Sequence, residues 1–159
     1  MNYEELDLKA QPGAFSTFDA EVLLPEIVKL QPGELYLEVG VDRGKSLSLA
    51  QMVAKDGVEI HGVDIHQTPE LEKYLLKGYY EGKAHVYFHE GQSAVIAKNW
   101  KGEKISVLFI DGDHSYGGCR LDIQGWYPHM KEGGIMLFHD CDESSPGVLW
   151  AVSEFVDTH

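Results

Sequence analysis

The chain has 159 residues, enough for one domain with a single core and too few for two of ordinary size. Apolar residues make up 43% and charged residues 25%, the balance of a globular protein and not of a disordered one. Lys and Arg number 13 against 26 Asp and Glu, a formal net charge of −13 with no basic run, which argues against nucleic acid or an anionic membrane as partner.

Residues 1–15 read as irregular, and the acidic opening MNYEELDLKAQPG lacks the apolar stretch of a signal peptide. Ser16-Thr17 offers a hydroxyl cap for a helix reaching Leu30, with Val22, Leu23, Ile27 and Leu30 at helical spacing and Gln31-Pro32-Gly33 as its stop. The first strand is Leu35–Val39. A glycine turn, Gly40 to Gly44, leads into a helix from about Ser46 to Lys55, closed by Asp56-Gly57. The second strand is Ile60–Ile65, and Thr68-Pro69-Glu70 starts the next helix with a hydroxyl, a first-turn proline and an acid. A third strand, Ala84–Phe88, precedes a short helix from Ser93 to Asn99. Ile105–Ile110 is the clearest buried strand and runs into Asp111-Gly112-Asp113-His114. A helix from about Gly118 to Met130 follows, bent or ended by Pro128. Gly133-Gly134 turns the chain into a fifth strand, Ile135–Phe138, which ends in His139-Asp140, and a last helix begins near Val148.

Strands alternating with helical patterns imply βαβ units and a parallel sheet. No apolar run approaches the ~20 residues of a membrane helix. Cys119 and Cys141 form no CxxC, which fits a reducing compartment, and a cytoplasmic location is the expectation.

In an open parallel sheet the ligand lies beyond the carboxyl ends of the strands. There the sequence places Gly40, Asp64, Gly91 with Ser93, Asp111, and His139 with Asp140. Gly40 and Gly44 let the backbone turn tightly against a ligand, but the turn lacks the G-x-G-x-x-G of dinucleotide sites. Glu38, on the strand before it, is a carboxylate able to accept from a ligand ammonium, and Asp64 suits two ribose hydroxyls. Asp113 reads as support for its turn, and Tyr116, Trp126 and Trp150 as packing.

The ordered set LYLEVGVDRG, IHGVDI, HEGQS, VLFIDGDHSYGGCRLDI and KEGGIMLFHD resembles the class I S-adenosylmethionine-dependent methyltransferases, over about residues 20–157. The last two segments look most like the cephalosporin hydroxylase-like and macrocin O-methyltransferase-like group. The resemblance implies a Rossmann-like three-layer α/β/α sandwich with a mostly parallel sheet, and S-adenosylmethionine bound by Glu38, Gly40, Gly44, Asp64, Ser93 and Asp111. It also implies a divalent metal on Asp111, His139 and Asp140, with His114 where a catalytic base stands, three residues after Asp111. His139 departs from the oxygen ligands that magnesium prefers and suits Mn²⁺, Fe²⁺ or Zn²⁺ better.

The expected reaction is methylation of a hydroxyl on a small molecule, with Asp111 and His114 as the catalytic pair. Two other readings stay open: a catalytically inactive adenosyl-binding module, and a nicotinamide-dependent reductase. The resembled fold usually adds two further strands beside the fifth. A sheet lacking them leaves that strand at an edge, and the expectation is either a homodimer or a longer native chain.

Overall fold

The computed structural model describes residue 13 and residues 15–80 and 85–159, so the acidic opening and Ala84 of the expected third strand lie outside the described residues. The elements are α1 (Thr17–Lys29), β1 (Leu35–Val39), α2 (Lys45–Val53), β2 (Glu59–Asp64), α3 (Pro69–Tyr80), β3 (Val86–Glu90), α4 (Ser93–Lys98), β4 (Ile105–Ile110), α5 (Tyr116–Trp126), a 3₁₀ turn (Tyr127–His129), β5 (Met130–Phe138) and α6 (Pro146–Thr158). The strands form one parallel sheet in the order β3-β2-β1-β4-β5.

Side-chain alternation along the strands assigns the two faces of the sheet. Tyr36, Val107 and Phe109 pack with Leu23, Leu24 and Ile27 of α1, Leu47 of α2 and Leu71 of α3. Leu37, Leu108 and Ile110 pack on the other side with Ala97 of α4, Ile123 and Trp126 of α5, and Val148 of α6. This is the expected three-layer sandwich. β1 is buried along its whole length because sheet neighbours and both helix layers enclose it.

One helix face and three boundaries differ from the sequence reading for identifiable reasons. The inner stripe of α1 is Ala20, Leu23, Leu24 and Ile27, which turns Val22 outward to 49% exposure. α5 starts at Tyr116 because Ser115 caps it, accepting from the Gly118 amide at 3.0 Å. It ends at Trp126, and the chain passes into a 3₁₀ turn holding Pro128, which has no N–H to continue the helix. Gly133-Gly134 is no turn ahead of β5 but part of a bulge within it: Met130 pairs with Ile105 and Ile135 with Val107, with Gly133 at φ 73. Among the described residues β5 is the outer strand on its side.

The strand order reverses between β1 and β4, and there the carboxyl ends diverge to open a crevice. The first residue beyond several strands still belongs to the ladder. Gly40 N donates to Val63 O at 2.9 Å, Asp111 N to Val39 O at 2.8 Å and His139 N to Ile110 O at 3.0 Å. The side chains at this rim therefore stand on rigid backbone.

Candidate active site

A cavity of about 700 Å³ opens at the reversal point, bounded by the β1–α2 turn, the ends of β2 and β4, and the start of α4. Gly40 has φ +86, and a Cβ there would lie 2.0 Å from the Asp111 carbonyl oxygen, so the turn closes against β4 only with glycine. Gly44, at φ +85, begins α2 without a side-chain cap. Asp42 between them is also left-handed, at φ 47. Asp64 holds this strained turn from the next strand: its Oδ2 accepts from the Val41 and Asp42 amides at 2.7 and 2.8 Å. Its other oxygen takes only a long 3.3 Å contact from the His66 amide.

Glu38 is fully buried and lies behind this wall instead of lining it. Tyr36 donates to its Oε2 at 2.7 Å and Ser46 to its Oε1 at 2.5 Å. Burial pushes its pKa up to about 8 against these two hydrogen bonds, and the negative charges of Asp111 and Asp64 push the same way. Glu38, expected to meet a ligand ammonium, is not among the residues that line the cavity. A carboxyl sealed under the turn supports Ser46, which does line the cavity.

The ends of β4 and β5 bring acids and imidazoles together, and of these Asp111 and His114 line the cavity. His114 Nε2 lies 3.2 Å from Asp111 Oδ1, and its Nδ1 3.4 Å from Asp140 Oδ2. His139 Nδ1 stands 3.3 Å from Asp111 Oδ1 and 3.2 Å from Asp140 Oδ2, while its Nε2 is 3.3 Å from Asp19 Oδ2. The Asp111 carboxylate beside it, helped by Asp140 and Asp19, raises His139 to about 9 although partial burial opposes a charge. Among the described residues, one atom each from Asp111, His114 and His139 lie within 4.8 Å of one another, the one such trio of metal-ligating type. His139 Nδ1 is buried and makes no hydrogen bond of acceptable geometry. The pair His61 and His89, 2.9 Å apart between ring nitrogens, lies away from this cluster on β2 and β3.

Residues 37–141 match the model of a family described as a methyltransferase domain, over well more than half of the chain. This chain belongs to that methyltransferase family. A curated relative, the uncharacterized protein R132 of Acanthamoeba polyphaga mimivirus, is 31% identical over 130 residues, covering 76% of this chain. The chain spans 58% of that relative's length. A solved Corynebacterium glutamicum protein superposes with a TM-score of 0.73 at 12% identity, over 98% of this chain and 77% of its own. The O-methyltransferase NovP gives 0.68 at 18% identity, over 92% and 75%. The MycE methyltransferase of mycinamycin biosynthesis, solved with Mg and SAH, gives 0.71 at 16% identity, over 99% and 45%. At such identities the likeness establishes the fold, a Rossmann-like α/β methyltransferase fold.

In this methyltransferase domain Gly40, Asp64, Ser93 and Asp111 all line the cavity, and Gly44 shapes the turn from behind. Asp113 supports its turn, accepting from the Ser115 amide and hydroxyl at 2.9 and 3.0 Å. Trp126 is core, and its Nε1 donates to Ser93 Oγ at 2.8 Å. Burial pushes the Cys119 thiol up to about 11 and raises Cys141 as well, so neither is poised as a nucleophile.

Three site residues escaped sequence reasoning. Asp122 is 7% exposed, lines the cavity beside Ser93, and has its pKa raised by burial. Its signal was an acid within the inward stripe Cys119, Asp122, Ile123 and Trp126, where a carboxylate needs a reason. Phe15 lies over His139 with ring centroids 6.2 Å apart at 27°. Asp19 reaches His139 from α1, and its sequence context announces only a helix cap.

Proposed function

We propose that this domain transfers the methyl group of S-adenosylmethionine to a hydroxyl of a small molecule, with a divalent ion assisting. The observation that carries the reading is one cavity lined both by a glycine turn and by Asp111 and His114, two members of an acid–imidazole cluster. The donor's adenosyl part lies across the β1–α2 turn, with Asp64 toward the ribose and Ser93 and Asp122 at the base. The uncapped start of α2 offers backbone amides to the donor's carboxylate. Its sulfonium end then points toward Asp111 and His114.

The residues present fit a divalent ion. Asp111 and His139 supply an oxygen and a nitrogen donor, Asp140 faces the same nitrogen, and the unpartnered His139 Nδ1 is a ligand atom without a ligand. Such an ion acts as a Lewis acid that lowers the pKa of the acceptor hydroxyl. His114, partly exposed at the mouth of the site, takes the acceptor's proton as the C–S bond breaks and the C–O bond forms. Asp111 orients His114 through its Nε2 contact.

Thermal unfolding with S-adenosylhomocysteine tests the donor site. A ligand present at 100 times its Kd stabilises the folded state by about 2.7 kcal/mol. The wild-type protein is expected to show that upward shift and Asp64→Ala a much smaller one. No shift in the wild type at millimolar ligand overturns the reading.

A further inference from the structure

We propose that Asp19 is a positioning residue for the metal site: its carboxylate engages Nε2 of His139 and so presents Nδ1 to the ion. The proposal rests on the metal-assisted reading above and adds to it a residue from the far end of the chain. The two nitrogens of His139 lie on different edges of the ring and face different carboxylates. Asp19 Oδ2 stands 3.3 Å from Nε2, whereas Asp111 Oδ1 and Asp140 Oδ2 stand 3.3 and 3.2 Å from Nδ1. An imidazole that ligates through one nitrogen carries its hydrogen on the other, and a hydrogen-bond acceptor behind that hydrogen selects the tautomer and the ring angle.

The ring is also held on its sides. Phe15 stacks on it at 27° with centroids 6.2 Å apart, and Phe109 meets it edge-on at 85° and 6.1 Å. Asp19 is itself fixed. Its Oδ2 accepts from the Ser16 amide at 2.8 Å and the Ser16 hydroxyl at 2.6 Å, and its own amide donates to Ser16 Oγ at 3.3 Å. These bonds form the capping box of α1. One carboxylate oxygen therefore caps α1 and also stands 3.3 Å from Nε2 of His139. The plain alternative is that Asp19 only caps the helix.

Mn²⁺ titration calorimetry, with thermal unfolding on the same samples, separates the two roles. Asp19→Asn keeps an oxygen that can accept from Ser16 but removes the charge behind His139. It is expected to weaken Mn²⁺ binding by about 10- to 100-fold, the usual effect of losing such a partner, with little change in Tm. Ser16→Ala damages the cap and leaves the carboxylate, so it lowers Tm without changing Mn²⁺ affinity. If Asp19→Asn does not fold, Asp19→Glu keeps the capping box while shifting the carboxylate by one methylene, and the same loss is expected. Wild-type affinity in the Asp19 variant that folds overturns the proposal, and so does an equal loss of affinity in Ser16→Ala. A wild-type protein that takes up no Mn²⁺ removes the metal reading and the proposal with it, before any variant is made.

Discussion

The two parts of the site that we propose, a donor end and a reaction end, are made in different ways. The donor end is built from backbone: left-handed glycines at 40 and 44, the amides of Val41 and Asp42, and one carboxylate, Asp64, that ties them to the neighbouring strand. The reaction end is built from side chains that converge from α1, β4 and β5, namely Asp19, Asp111, His114, His139 and Asp140. A backbone site tolerates almost no change in shape. A side-chain site can lose a member and keep its fold. The two ends are therefore expected to fail differently when mutated.

The largest expected effect falls on the reaction end. Removing a general base costs on the order of 10²- to 10⁴-fold in rate. His114→Gln is expected to show that loss in transfer of labelled methyl from S-adenosylmethionine across a panel of hydroxylated small molecules. Its thermal shift with S-adenosylhomocysteine should match the wild type, because His114 is held by Asp111 and Asp140 and the turn by Asp64. Lost donor binding in this variant would merge the two ends into one. Retained activity would take the base role away from His114.

The donor end is expected to fail through the fold itself. In Gly40→Ala the new Cβ meets the Asp111 carbonyl oxygen at 2.0 Å, at φ +86. Adding a left-handed alanine to an overpacked contact costs about 3 kcal/mol, or roughly 10 °C in Tm for a chain of this length. The β1–α2 turn must move away from β4, and donor binding goes with it. A variant that melts like the wild type and still binds S-adenosylhomocysteine would show that the turn is looser than its geometry says.

This contrast also explains what the sequence disclosed. Every strand was readable, because β1 and β4 are mostly apolar and glycine, acid or histidine follows at the strand ends. The glycine turn was readable because its residues are contiguous and each has a backbone reason to be there. Asp111, His114, His139 and Asp140 were readable as strand-end residues, though their mutual distances were not. Asp19 was hidden because its local job, capping α1, already accounts for it. Its second contact depends on how α1 packs across β4 and β5, which no local pattern encodes. The burial of Glu38 was hidden for a related reason. Strand alternation puts Glu38 on the same face as Tyr36, under α2, and not at the strand's open end.

The smallest expected effect sharpens the contrast from beneath the donor end, at Glu38. This carboxyl has a folded-state pKa of about 8, raised chiefly by complete burial. An unfolded chain ionises it near pH 4.3. Between those values the folded state holds a proton that the unfolded state has released, so stability falls as pH rises through this window. The stabilising share of Glu38 is full below the lower value and spent above the upper one. His139, raised to about 9, adds a second loss between its unfolded value near 6.5 and about pH 9. His61, lowered to about 4 chiefly by burial, acts oppositely and gains stability as pH rises from about 4 to 6.5. A wild-type profile mixes all three, whereas comparison with Glu38→Gln isolates one. Glutamine keeps the shape and can still bond Tyr36 and Ser46, but it has no proton to lose. The Tm difference between variant and wild type is expected to be small at pH 5 and to grow in favour of glutamine by a few degrees at pH 8. A difference that stays flat across that range would mean that Glu38 is ionised throughout and that Tyr36 and Ser46 satisfy its charge. The support of the turn would then be ionic, and the donor end would share the chemistry of the reaction end.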